Sequence, residues 1–383
     1  MAQPLRAHNR NVFASKPLIQ GDRIANLKSI KASINDENAV DKNNIFRSKI
    51  PVLKARIGCQ ENVENVNKIS KNVPLKSCKP VINNKPIETK LKLKPVIENI
   101  DNESNCFLLS EYAPEIYRYL HSLEQKQALK PNFLSINPLV TPNMRAILVD
   151  WMVGVHRSFR MFPETLYLSI SIVDRILSKE KIEKNQLQLL GAAALFVAAK
   201  FEEVYYPDVK DFVVICDNSY TKREILQMEI KILTLIDFEL SGPCPLHFLR
   251  RGSKAASADS QAHLLGKYLC ELSAIDYQCA SWLPSLKAAT ALYLALKLIK
   301  AKEIDGIQNL DENSLWTPTI EHYTGYSLND VRKNSTVISR LIVQAETSKL
   351  QNCRKKYKSS KFMNISEFAE GSIKIINRKS PIA

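Results

Sequence analysis

The pattern of apolar and polar residues changes character near Glu111. From residue 1 to about 104, apolar side chains follow no period, and the aromatics are Phe13 and Phe46 alone. Asn, Lys, Ser and Pro are abundant there. Such a segment cannot bury enough apolar surface to offset its ordering entropy, so it reads as a disordered regulatory tail or a passive solubilising one. Beyond Glu111, Ile116, Tyr117, Leu120 and Leu123 recur at helical spacing, and Pro131 closes that region. Thr141 followed by Pro142 reads as an N-cap and first helical residue, opening an apolar helix from Met144 to Phe159. Further helical cores are expected at 164–178, 185–202, 207–216, 222–237, 245–252, 260–275, 284–301 and 328–348. Turn signals at Phe162-Pro163, Tyr206-Pro207, Ser241-Gly242-Pro243 and Pro284 separate them. Strand-like alternation is scarce, so the folded part is expected to be all-α.

An internal repeat divides it in two. Gly191-Ala-Ala-Ala-Leu-Phe-Val-Ala-Ala-Lys200 matches Ala288-Ala-Thr-Ala-Leu-Tyr-Leu-Ala-Leu-Lys297 at an offset of 97 residues. Small residues at this density suit a central helix approached closely on several sides. The expected order is a tail over 1–104, a helix and linker over 105–140, bundles over 141–240 and 241–351, and an extension over 352–383. A chain of 383 residues has room for two such domains and a tail.

Composition removes several function classes. No apolar run is long enough to span a membrane, and the N-terminus lacks the apolar core of a secretory signal, which points to cytoplasm or nucleus. The eight cysteines include no Cys-x-x-Cys pair, so neither a zinc ribbon nor a redox motif is expected. The net charge is +15. Residues 1–104 hold nineteen Lys plus Arg against ten Asp plus Glu, a net +9. More than half of the excess is thus diffuse tail charge, a weak sign of nucleic-acid binding. No phosphate-binding Gly-rich loop, nucleophile elbow or zinc helix occurs, and His156-Arg157 lacks the Asp of a kinase catalytic loop. No catalytic residue is expected.

Several segments together resemble the cyclin family: Met144-Arg-Ala-Ile-Leu-Val-Asp-Trp151, Glu164-Thr-Leu-Tyr-Leu168, Ala199-Lys-Phe-Glu-Glu203 and Tyr220-Thr-Lys-Arg-Glu-Ile-Leu-Gln-Met-Glu229. The likeness runs from about Glu111 to Gln351. Pro245-Leu-His-Phe-Leu-Arg-Arg-Gly-Ser-Lys254 resembles B-type cyclins more than A-type or G1 types. The resemblance implies two tandem cyclin boxes, each a five-helix bundle, in a non-enzymatic subunit with no metal or cofactor that activates a mitotic cyclin-dependent kinase as a heterodimer. Localisation would be cytoplasmic and nuclear, changing with the cell cycle. An A-type cyclin is the nearer alternative. Transcription factors that share the duplicated fold and bind nucleic acid are the more distant one, disfavoured by the missing zinc ribbon and by Lys200 with Glu229.

Candidate sites follow. Glu229 lies among Ile225, Leu226, Ile232 and Leu233, in a helix opened by the capping box Thr221-x-x-Glu224; Lys200 ends an apolar helix. Pattern alone reads them as a structural pair or charges at a stripe's edge; the resemblance implies a kinase-facing surface. Met144, Ile147, Leu148 and Trp151 share one helical face, which on spacing alone is core. The resemblance implies that these, with Leu187 and Gln188, form a groove for substrates and inhibitors carrying Arg-x-Leu. Gly154 departs from the acid that A-type cyclins use there. Arg145 and Asp174 are implied to be a buried structural pair that ties two helices of the first box together. The resemblance implies that Arg250, His263 and Lys267 match a phosphate-binding pocket of B-type cyclins for phosphorylated partners; on their residue types alone they read equally as three solvated basic residues. In the tail, the resemblance implies a destruction box read by the ubiquitin-ligase machinery of mitotic exit; the best match is a degenerate one at Lys54, Ile57, Gly58 and Asn62, with Lys and Ile where Arg and Leu are expected, the alternative being a chance likeness.

Overall fold

The computed structural model describes residues 96–102, 110–304 and 311–379, and among them there is no strand. Helix α1 spans Ala113–Lys126. A first bundle follows: α2 (Pro142–Phe159), α3 (Pro163–Lys179), α4 (Leu187–Glu202), α5 (Val209–Ile215) and α6 (Lys222–Leu235). A second bundle holds α7 (Pro245–Ala255), α8 (Ser260–Ile275), α9 (Pro284–Glu303), α10 (Pro318–Thr324) and α11 (Leu328–Ala345). Two more helices close the chain, α12 (Asn352–Lys358) and α13 (Ile365–Lys379).

Local chemistry sets the helix ends. Thr141 accepts from the Met144 amide at 3.3 Å, and Pro142 supplies the preset φ of a first turn. Thr221 and Glu224 exchange bonds between side chains and backbone amides, the reciprocal box expected from sequence. The repeated segments lie in α4 and α9, each the packed centre of its bundle: Leu189–Ala199 is continuously buried, as is Ala288–Ala295. Gly191 shows why small residues recur there. A Cβ at Gly191 would stand 2.7 Å from Leu148 Cδ1, so α2 could not lie as close to α4.

Three features differ from expectation. Helix α1 precedes the first bundle yet binds the second: Tyr117 Oη donates to the His247 carbonyl at 3.0 Å. Buried Glu124 accepts from the Ser285 amide at 2.9 Å, at the start of α9. Helical structure does not stop near Gln351, because α12 and α13 bury Cys353, Tyr357, Ile365, Ala369 and Ile373 against the bundles. The expected tail also reaches too far. Within 1–104, residues 96–102 form a strap on the second bundle: the Glu98 amide donates to Thr319 Oγ1 and the Ile100 amide to Tyr323 Oη. Asp101 accepts two bonds from Arg251, whose guanidinium lies 4.9 Å from the Tyr117 ring centre and 4.7 Å from that of Tyr323. The apolar-poor composition hid a segment held by polar bonds.

Candidate functional site

Lys200 and Glu229 meet where the end of α4 passes α6. The ammonium bonds Glu229 Oε1 and sits 4.4 Å from the Phe196 ring centre. Glu229 is buried, while the Lys200 side chain keeps 34% of its exposure. The pair is therefore structural in its bond and open on one side. Large apolar side chains left in water flank it: Phe201 in the last turn of α4, Val204, Tyr205 and Tyr206 along the loop after it, and Ile230 beside Glu229. Phe162 joins that edge because Glu203 Oε1 accepts from the Phe162 amide and from Thr165 Oγ1, tying the loop to the start of α3.

The apolar stripe of α2 divides into two layers. Leu148 and Leu187 are core, at 5% and 6% exposure, whereas Met144, Trp151 and Gln188 are half-buried and Ile147 is exposed. Two of the six expected groove residues are thus floor, because Gly191 draws α4 against Leu148. At the far end Gly154 is covered. A Cβ there would lie 3.3 Å from Asn352, whose backbone and side-chain amides donate to Asp150 at 3.0 and 2.9 Å. The start of α12 occupies the space that a side chain at 154 would need.

Arg145 and Asp174 form a buried two-pronged pair, both bonds 2.6 Å. Arg145 Nη1 also donates to the Ala274 and Ile275 carbonyls at 3.1 and 3.2 Å, so the pair ties α2 and α3 to the end of α8 in the second bundle. The expectation had confined it to the first box.

Arg250, His263 and Lys267 come together, and the last two are half-buried rather than solvated. Ser253 Oγ and His263 Nδ1 are 2.9 Å apart. Burial, then the charges of Lys267 and Arg250, hold His263 below the ordinary imidazole range. Burial, then Lys356 and Arg250, lower Lys267. Arg250 bonds the Glu164 carboxylate. Lys267 has no hydrogen bond or ion pair to any described residue. The acid one turn along α8, Glu271, accepts from Lys356 at 2.9 and 2.7 Å and from Tyr357 at 3.1 Å. The parts supplied by Glu164, Lys356 and Tyr357 were missed from sequence. Only the Glu164 position, next to Pro163 in a recognisable motif, carried a signal. Lys54, Ile57, Gly58 and Asn62 lie outside the described residues. Among the described residues no cluster of three metal-ligating side chains occurs, and no helix is long and apolar enough to cross a membrane.

Two tandem bundles of five helices, with small-residue central helices and this charged edge, define the architecture. Residues 115–241 match the family described as Cyclin, N-terminal domain, and residues 243–371 match Cyclin, C-terminal domain. G2/mitotic-specific cyclin-B of Patella vulgata is 36% identical over 91% of this chain and 86% of its own. The protein of the same description from Spisula solidissima is 41% identical over 79% of this chain, which spans 65% of that relative. A solved viral cyclin from herpesvirus saimiri superposes with a TM-score of 0.50 at 22% identity, covering 60% of this chain and 98% of that one, a likeness of fold. The chain belongs to the cyclin family, in its G2/mitotic-specific B branch.

Proposed function

We propose that this chain is a non-catalytic subunit that binds and activates a mitotic cyclin-dependent serine/threonine kinase at the G2/M transition. The observation that carries this reading is the half-open Lys200–Glu229 pair at an edge where Phe162, Phe201, Val204, Tyr205, Tyr206 and Ile230 stay in water. Exposed apolar side chains beside charged groups are what a soluble chain keeps for a protein partner. Membership of the B branch supports a mitotic kinase as that partner.

The test is the double variant Lys200→Ala with Glu229→Ala, co-purified with a mitotic kinase and assayed on histone. Removing both charges leaves no buried orphan, so the helical signal should persist. Loss of about 2–4 kcal/mol of binding is expected, enough to abolish activation. Normal activation by a soluble double variant would refute the assignment.

The same reading extends to the other surfaces. Arg-x-Leu peptides of substrates and inhibitors dock on Met144, Ile147, Trp151 and Gln188, above Leu148 and Leu187. Phosphorylated partners bind at Arg250, His263 and Lys267. Ubiquitin-ligase machinery reads the tail around Lys54, Ile57, Gly58 and Asn62, and the protein moves between cytoplasm and nucleus with the cycle.

A further inference from the structure

Phe162 breaks two local rules at once. It stands at the N-cap of α3, where an oxygen-bearing side chain is favoured, and it makes no side-chain cap bond. Its ring is also 54% exposed, so it gains little from burial. Local rules broken together without a local gain mark a functional position, and an aromatic ring left in water suits contact with a partner. The missing acceptor comes from another helix. Glu203 ends α4: its amide donates to the Ala199 carbonyl at 3.0 Å, and its backbone then turns extended. Its side chain crosses to α3, where Oε1 accepts from the Phe162 amide at 2.6 Å and from Thr165 Oγ1 at 2.5 Å. A carboxylate there is favoured by the helix dipole as well. Two bonds to one oxygen, from both sides of Pro163, fix the start of α3 against the end of α4, which carries Lys200 and Phe201.

We propose that Glu203 is a positioning residue for kinase binding: it caps α3 from outside and thereby holds the exposed Phe162 ring beside Lys200 and Phe201. This rests on the reading of that edge as the kinase-facing surface. Phe162 makes the contact, and Glu203 acts through it. An apolar anchor contributes more affinity the less freedom it loses on binding. With both Glu203 bonds in place, the backbone at Phe162 is set before the partner arrives. Without them the partner must order the Phe162-Pro163 turn, and affinity falls although no contact is removed.

The test is a double-mutant cycle on the full chain, read as affinity for a purified mitotic kinase by calorimetric titration and as the melting temperature of the free chain. Phe162→Ala should weaken kinase binding about tenfold or more, as loss of an aromatic anchor does. Glu203→Ala should weaken it about three- to tenfold, the range for a segment left to be ordered on binding. Glu203→Gln keeps a carbonyl acceptor for both bonds and should stay within about twofold of wild type. In the Phe162→Ala background, Glu203→Ala should weaken binding no further. It should still lower the melting temperature as it does in wild type, because the amide of residue 162 and the Thr165 hydroxyl lose their acceptor in both. Coupled affinity with additive stability is a pattern that a purely structural cap does not produce. If Glu203→Ala weakens binding equally in both backgrounds, Glu203 does not act through Phe162 and the positioning role is wrong. If Phe162→Ala binds like wild type while Lys200→Ala with Glu229→Ala does not, the kinase-facing edge stands and this inference falls. If the Lys200–Glu229 variant also binds normally, the reading of the edge falls and takes this inference with it.

Discussion

Arg145 shows how much one side chain can hold. It is 1% exposed, bonds both Asp174 oxygens, and covers two carbonyls at the end of α8. Removing one partner of such a pair strands a buried charge. Arg145→Met is therefore expected to cost about 3–5 kcal/mol, read as a lower midpoint in urea unfolding. Adding Asp174→Leu should recover part of that loss. Charges inside apolar helices were legible in the sequence, and so was their pairing through the resemblance. The α8 carbonyls were not, because backbone acceptors carry no sequence signal. Two other buried groups give a pH signature. Burial, with Lys356 adding and Glu271 opposing, pushes His156 down to about 4. The folded chain thus holds that proton less tightly than the unfolded one. The contribution is complete above about 6.5 and lost as pH falls toward 4. Asp150 runs the other way: burial raises it to about 6 against bonds from Asn352, so its contribution is lost as pH rises from about 4 to 6. The difference in unfolding free energy between wild type and His156→Gln should grow by about 3 kcal/mol from pH 4 to 7. A flat difference across that window would show that His156 is protonated normally in the fold.

At the scale of the element, α2 separates two meanings of one apolar stripe. Spacing placed Met144, Ile147, Leu148 and Trp151 on a common face, but a helix wheel does not say which neighbour covers it. Gly191 decides, by letting α4 reach Leu148 and leaving the rest nearer water. Leu148→Ala should destabilise the chain by about 2–5 kcal/mol, measured by chemical denaturation. Met144→Ala with Trp151→Ala should cost less, because both are already half-exposed. The double variant should lower phosphorylation of substrates with the docking peptide, not of a short peptide without it. If it unfolds instead, the whole face is core. The long helices were readable because each buries a continuous apolar run or stripe between clear turn signals. Helix α10 was not, because Ile320 is its one buried apolar side chain, whereas the equally short α5 buries Val209, Phe212 and Ile215 at helical spacing. Helices α12 and α13 were obscured by a polar connection in which Met363 and Asn364 take left-handed φ values of 52° and 50°. The density of Lys and Ser in that stretch looked like an extension rather than a part of the core.

For the whole molecule, the consequence is that the folded body extends past both expected limits. Helix α12 binds α2 of the first bundle through Asn352 and Asp150, and binds α8 of the second through Lys356, Tyr357 and Glu271. It is the only segment after the second bundle that bridges both by hydrogen bonds among the described residues. A chain ending at Gln351 loses those bonds and uncovers the buried positions under α12 and α13. It also takes the Lys356 and Tyr357 bonds from the buried Glu271, leaving Lys267 as the cation near it, and losing the bonded partners of a buried carboxylate costs several kcal/mol. The total exceeds the usual stability margin of a domain, so this truncation should yield insoluble or molten protein. The other end is graded. Deletion of residues 1–95 leaves the Asp101–Arg251 strap intact and should not move the melting temperature. Deletion of 1–104 removes it, strands Arg251 between Tyr117 and Tyr323, and should lower the melting temperature by several degrees. Differential scanning calorimetry of the three truncations separates the alternatives. Equal melting of the 1–95 and 1–104 deletions would make the strap an ornament of the surface. A stable, cooperative chain ending at Gln351 would return α12 and α13 to the status of an appendage.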